Sequence, residues 1–181
     1  MKHEMVVALG LFLFSTFAIG FSPYSHAIAD VSIARSPQNP QSTELLPLMG
    51  AWKGSGKFSG RDSNAEMKWE SVLGGRFVRL SYRNTWKTAQ DKTQTIEGHA
   101  YYQSLNNGDY RANWFDSYGK ARPIEAKFEN GALSATWGTP ATELGKTVYK
   151  LVTPDQVEII DAVQLKDGSW REFHRALLRR E

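Results

Sequence analysis

The stretch that decides the fold is PIEAKFENGALSATW, residues 123–137. Ile124, Ala126 and Phe128 alternate with Glu125 and Lys127, so an extended chain puts an apolar set on one face and charges on the other. Asn130-Gly131 follows, a pair suited to the positive φ of a two-residue type I′ turn. A second run, residues 132–137, completes a hairpin. Upstream the same alternation returns: Ala65, Met67 and Trp69 oppose Glu66, Lys68 and Glu70. A sheet with one apolar and one wet face is antiparallel and wraps a core.

From residue 51 onward such runs recur, rich in Val, Ile, Tyr, Phe, Trp and Thr and divided by turn residues. They predict ten strands, at 51–58, 65–72, 76–86, 95–104, 109–116, 123–129, 132–137, 147–152, 157–165 and 170–179. Asn107-Gly108 and Asp167-Gly168 offer two more hairpin turns. No interval is long enough for a crossover helix, which excludes regular parallel pairing. Ten consecutive antiparallel strands leave reactive edges unless the sheet closes or splits into two layers. The expectation is an all-β fold, an up-and-down barrel of about ten antiparallel strands with room for a small ligand. A sandwich is the alternative.

Two segments flank this core. Thr43 to Met49 (TELLPLM) predicts a short helical turn plugging one end. Ser169 to Glu181 also fits a helix, because Trp170, Phe173, Leu177 and Leu178 lie at helical spacing and Ser169 with Glu172 forms a capping box. The Asp167-Gly168 turn and the need to close the sheet favour a strand there. The interval Gly138–Lys146, with Pro140 and Gly145, is the candidate lid.

Composition narrows the function classes. The chain has 181 residues, 22 Lys and Arg against 19 Asp and Glu, and no cysteine. A formal charge of +3 is too small to mark a nucleic-acid surface. Without cysteine there is no disulfide framework, thiolate nucleophile or zinc–thiolate cluster. Lys2 precedes an uncharged apolar run from Val6 to Phe21, and Ala27-Ile28-Ala29 supplies an A-x-A cleavage site before Asp30. Residues 1–29 are therefore expected to be a signal peptide and 30–42 a flexible lead-in to a single domain over 43–181. The expected location is periplasmic or secreted, with no stable membrane span after cleavage. His3 and His26 leave with the signal, so His99 and His174 remain. Two histidines make a protein-only zinc site improbable.

At Gly50-Ala51-Trp52 the sequence resembles the entry to calycin barrels, the group that holds lipocalins and fatty-acid-binding proteins. Its extended form, Gly50-x-Trp52-x-Gly54-x-Gly56, is similar to nitrobindin-type barrels. Leu73-Gly74-Gly75-Arg76-Phe77, Glu97-Gly98 and Asn113-Trp114-Phe115-Asp116-Ser117 resemble a bacterial family of exported calycin-like proteins described as a domain of unknown function. The likeness covers roughly residues 45 to 180. It implies that Trp52 closes the barrel floor under a basic residue of the last strand, Arg179 or Arg180, as a structural clamp. It also raises haem, which nitrobindin-type barrels hold through a histidine near the end of the last strand. Anchored on Arg179-Arg180, that position falls on Arg175. His174 lies one residue away, on the opposite face, so no cofactor is expected and haem is the lesser reading. A phosphate loop at Gly54-Ser55-Gly56-Lys57 fails because Phe58, not Ser or Thr, follows the lysine.

One constellation has a geometric argument. If Asp167 and Gly168 are the two turn residues, Leu165 opposes Trp170, Val163 opposes Glu172, Asp161 opposes His174 and Ile159 opposes Ala176. That face is apolar apart from Asp161, Glu172 and His174. The expected function is binding of a small, largely apolar molecule, with pocket walls at Trp69, Leu80, Tyr82, Trp114 and Val163. Asp161, Glu172 and His174 would meet its polar end. The alternative is a small isomerase or hydrolase using Asp161 and His174 as a dyad.

Overall fold

A computed structural model describes residues 43–105 and 108–181. The expected signal peptide, the lead-in over 30–42 and Asn107 lie outside the described residues. A 3-10 turn, Thr43–Leu48, precedes ten strands: β1 (Gly50–Phe58), β2 (Arg61–Val72), β3 (Phe77–Lys87), β4 (Thr93–Ser104), β5 (Asp109–Asp116), β6 (Ala121–Glu129), β7 (Ala132–Thr139), β8 (Glu143–Thr153), β9 (Gln156–Gln164) and β10 (Trp170–Arg180). Each pairs antiparallel with its neighbours in sequence, and β1 pairs with β10 to close the barrel. The last segment is thus a strand. The interval expected as a lid is mostly strand too, with only residues 140–142 left to join β7 to β8.

Closure depends on two glycines. The backbone of β10 passes so close over the inner face of β1 that a Cβ on Gly54 would strike Leu177 and Leu178, and one on Gly56 would lie 2.7 Å from the Ala176 Cβ. Alternate glycines let the two strands meet at a tight corner. Asn130 and Gly131 both take positive φ, 52° and 75°, as a type I′ turn requires.

The far end of the barrel is sealed. Leu45, Leu48 and Trp52 are fully buried beneath the 3-10 turn. Trp52 Nε1 donates to the Leu48 carbonyl at 2.7 Å. The Arg180 guanidinium lies 4.1 Å from the centroid of the Trp52 ring and donates to the carbonyls of Met49, Pro47 and Pro154. Arg180 is therefore the clamp. Arg179 pairs in register with Lys53 and points outward, exposed. Above this floor Trp69 packs on Tyr102 and Tyr149, with ring centroids 5.3 and 5.2 Å apart. Leu80, Leu133 and Val157 fill the same layer.

The β9–β10 turn departs from expectation. Leu165 N donates to Ser169 O and Gly168 N to Leu165 O, so the loop has three residues, Lys166 to Gly168, with Gly168 at φ 83°. Asp167 steadies it by accepting from Ser169 N and Oγ. Near the turn, Arg171 opposes Val163 and Glu172 opposes Ala162. A bulge between Glu172 and His174 then restores the expected register, with Asp161 opposite His174 and Ile159 opposite Ala176. A bulge leaves two residues opposite one and re-aims the side chains beside it. Among the described residues no helix is long and apolar enough to cross a membrane.

Candidate functional site

The open end of the barrel holds a cavity of about 470 Å³. Its walls are largely aromatic and aliphatic, from inward positions of β1 and of β3 through β10. Two tryptophans shape it. The Trp114 indole lies across Gly98, and the Trp137 indole across Gly145, so closely that a Cβ on either glycine would collide with the ring. A missing side chain on one strand thus provides the bed for a large one on the next. Each indole is also held at its nitrogen: Trp114 Nε1 donates to Asp116 Oδ2, and Trp137 Nε1 to Thr147 Oγ1, both at 3.1 Å.

Asp161 is the carboxylate on the wall. It sits between Thr147 on β8 and His174 on β10 in adjoining registers. Thr147 Oγ1 donates to its Oδ1, and His174 Nδ1 lies 2.7 Å from its Oδ2. A carboxylate accepts only, so Nδ1 carries the hydrogen of this bond and a neutral ring presents Nε2 as an acceptor. His174 is 1% exposed and does not border the cavity. Its ring is packed 5.8 Å from Phe58 and 6.4 Å from Tyr82, centroid to centroid. The dyad exists as a hydrogen-bonded pair, but the cavity meets the carboxylate and not the imidazole.

Three phenols point into the same cavity, Tyr149 from β8 beside Asp161 and Tyr82 and Tyr102 from β3 and β4 across the barrel. Burial pushes the Tyr82 hydroxyl well above its ordinary pKa, and the Asp161 carboxylate adds to the effect. Tyr102 is raised by the same two causes in the same order. Tyr149 is raised by burial first, then by Tyr102, Asp161 and Tyr82. All three stay protonated and offer O–H donors to whatever enters.

The residues expected from sequence divide as follows. Tyr82, Trp114, Asp161 and Val163 line the cavity. Trp69 and Leu80 face inward but lie in the packed layer below it. Alternation assigns a side chain to a face and says nothing of its height in the barrel. Glu172 is corrected: the bulge turns it outward, where Arg175 grips it through Nε at 2.9 Å and Nη2 at 2.7 Å and lowers its pKa. His99 is exposed on the outer surface, bonded to Ser81 Oγ at 3.1 Å. Thr147, Tyr149, Trp137 and Phe173 escaped the sequence reading. Thr147 could have been found by carrying the Asp161 register one strand further.

The rim is charged. Arg122 reaches Asp116 at 3.0 Å and Glu143 at 2.9 Å and lies 5.4 Å from the Trp137 ring centroid. Burial pushes the Asp116 carboxyl up. The backbone N–H groups of Lys120 and Tyr118, the Trp114 indole and Arg122 outweigh this, so the net shift is downward. A lowered folded-state pKa means that the stabilisation is complete above the ordinary carboxylate pKa and is lost as pH falls through the lower folded value. The Tm gap between wild type and Asp116→Asn should therefore narrow between about pH 5 and about pH 2. A gap that stays constant with pH would remove this role from Asp116.

The cavity offers no histidine to a haem: none borders it, and the buried His174 ring is packed against Phe58 and Tyr82. Among the described residues no three His, Cys, Asp or Glu side chains gather as a metal site.

No protein-family model matches this chain, and no curated protein matches it. Solved structures do. The S-type phycobiliprotein lyase CPES from Guillardia theta superposes with a TM-score of 0.54 at 9% identity, covering 75% of this chain and 89% of that one. Rv2717c from M. tuberculosis gives a TM-score of 0.54 at 15% identity, covering 78% of this chain and 98% of that one. At such identities the likeness is one of fold, and the fold is a calycin-like, ten-stranded antiparallel barrel.

Proposed function

We propose that this chain is an exported barrel that binds one small, largely apolar molecule in its open end, with Asp161 and the three phenols orienting the polar part of that molecule. The observation that carries the reading is the cavity of about 470 Å³, apolar on most sides and marked on one by an anchored carboxylate. Pockets of that size, greasy with a few placed polar groups, hold small organic ligands. Export rests on the Val6–Phe21 run and the Ala27-Ile28-Ala29 site. Native mass spectrometry of protein taken from its own periplasm or medium tests both parts. A chain beginning at Asp30 and carrying a copurified small molecule is the expected result. A full-length chain retained in the cytosol would refute export.

The cavity is checked separately with two fluorescent probes. Nile red, which has no donor, should bind one per barrel. So should 1-aminoanthracene, whose amine can donate to Asp161. Asp161→Asn removes the charge-assisted acceptor and should weaken 1-aminoanthracene by about tenfold while moving Nile red by less than about threefold. If neither probe binds wild type, the cavity is not a ligand site. Equal losses for both probes would deny Asp161 its orienting role.

A further inference from the structure

Three buried polar side chains on one stretch of wall find no protein partner: Ser63 Oγ, both atoms of the Asn84 amide, and His174 Nε2. Their exposures are 3%, 0% and 1%. The register brings them together. His174 opposes Phe58 across β10 and β1, and Gly56 opposes both Ala176 and Ser63. Ala65 opposes Asn84 across β2 and β3, and Ser63 opposes Trp86. Apart from Phe58, directly opposite His174, the inner-wall residues among the three polar groups are small: Gly56, Ala65 and Ala176. The His174 ring can reach across two strands to within 6.4 Å of Tyr82. Phe58 and Trp86 stack at 4.3 Å and roof the same stretch. Phe58 and Tyr82 both border the main cavity, so this polar patch lies directly behind its wall.

Chemistry narrows what such a patch holds. A buried polar group without a partner costs about 1–3 kcal/mol, and four orphan atoms on one patch are rarely left so. With Nδ1 donating to Asp161, Nε2 of the neutral ring is an acceptor. The Asn84 amide both donates and accepts, as does the Ser63 hydroxyl. A hydroxyl group answers this set: its hydrogen goes to Nε2 while its oxygen accepts from the Asn84 NH₂ or from Ser63. A cation lacks the acceptor, and an anion lacks the donor that Nε2 needs.

We propose that Ser63, Asn84 and His174 Nε2 form an interior subsite for a hydroxyl group, supplied by ordered water or by the alcohol of a ligand seated in the main cavity. The second source rests on the ligand-binding reading given above; the first does not. Ser63→Ala and Asn84→Leu, each made in the full-length protein, decide whether the subsite is occupied. An occupied site loses bonds in both variants, and Tm falls by about 2–4 °C in each. Orphan groups replaced by apolar ones of similar shape would leave Tm unchanged or raise it, which overturns the proposal. Ser63→Ala is small enough to read even if Asn84→Leu fails to fold.

Displacement of Nile red by 1-decanol and by decane identifies the source. A ligand alcohol makes decanol about tenfold more potent than decane in wild type, and the preference vanishes in Asn84→Leu. Water as the sole occupant removes the preference but keeps the fall in Tm. If neither compound displaces Nile red, the cavity reading fails, and the two Tm values still decide the subsite alone.

Discussion

Trp52→Ala should lower the stability of the barrel by about 3–5 kcal/mol, the range for emptying a buried large aromatic site. For a chain of this size that is a fall in Tm on the order of 10 °C, measured by calorimetry or by circular dichroism at a fixed scan rate. Three losses coincide at this residue. The indole is fully buried in the floor, its Nε1 bonds the Leu48 carbonyl at 2.7 Å, and its face receives Arg180 at 4.1 Å. The Arg180 guanidinium also donates to Met49, Pro47 and Pro154, so the ring is the bed of a clamp that ties the 3-10 turn to the end of β10. Trp52→Phe separates the effects: it keeps much of the apolar volume, loses the Leu48 bond, and should cost about 1–3 kcal/mol. Arg180→Lys keeps the charge but not the flat fork, and should cost less than Trp52→Ala. If Trp52→Ala moved Tm by no more than a surface substitution, the floor would not depend on this residue.

Much of the architecture was legible because its determinants are local. Alternation in residues 65–70 and 124–128 identifies the inner face without any knowledge of neighbours, and Asn130-Gly131 fixes both the turn and the register after it. Closure follows from strand count and the absence of crossovers. The glycines at 54 and 56 let a neighbouring backbone pass close, and that β10 is the strand approaching is a property of the closed sheet.

The candidate site shows where local reasoning stops. The Asp161–His174 pairing came out right although the turn was taken as two residues and has three. The extra loop residue shifts the register by one, and the bulge at Phe173 shifts it back. Bulges carry no reliable sequence mark, so Glu172, inside that compensated stretch, was placed on the wrong face. Trp69 and Leu80 were assigned to the correct face at the wrong height. Tyr102, Tyr149 and Trp137 gather around Asp161 through the curvature of the whole sheet, which no single strand reveals.

Gly98→Val should abolish ligand binding while leaving the barrel folded. The glycine lies under the Trp114 indole, opposite Tyr82 on one side and Asp116 on the other. Any Cβ there collides with the six-membered part of the ring, and the three nearest atoms all belong to the indole and none to backbone, so the indole is what must move. Its strand-facing side is occupied, which leaves the cavity as its only free direction. Valine suits a strand and Gly98 has ordinary negative φ, so the backbone is not strained. The expected cost in stability is about 1–3 kcal/mol, typical of overpacking. The expected cost in Nile red affinity is larger, about 100-fold or more, equivalent to losing about 2.7 kcal/mol of binding. Because Trp114 also donates to Asp116, the displaced ring drops that bond and loosens the rim beside Arg122. The double variant Gly98→Val with Trp114→Ala supplies the decisive comparison. Trp114→Ala vacates the space that the valine needs, so the pair should bind Nile red better than Gly98→Val alone, a coupling that independent sites would not show. Gly145→Val, under Trp137, should repeat the pattern on the facing wall with Thr147 losing its donor. If Gly98→Val bound Nile red as tightly as wild type, the probe would have to sit elsewhere, and the open end of the barrel would lose its claim to be the binding site.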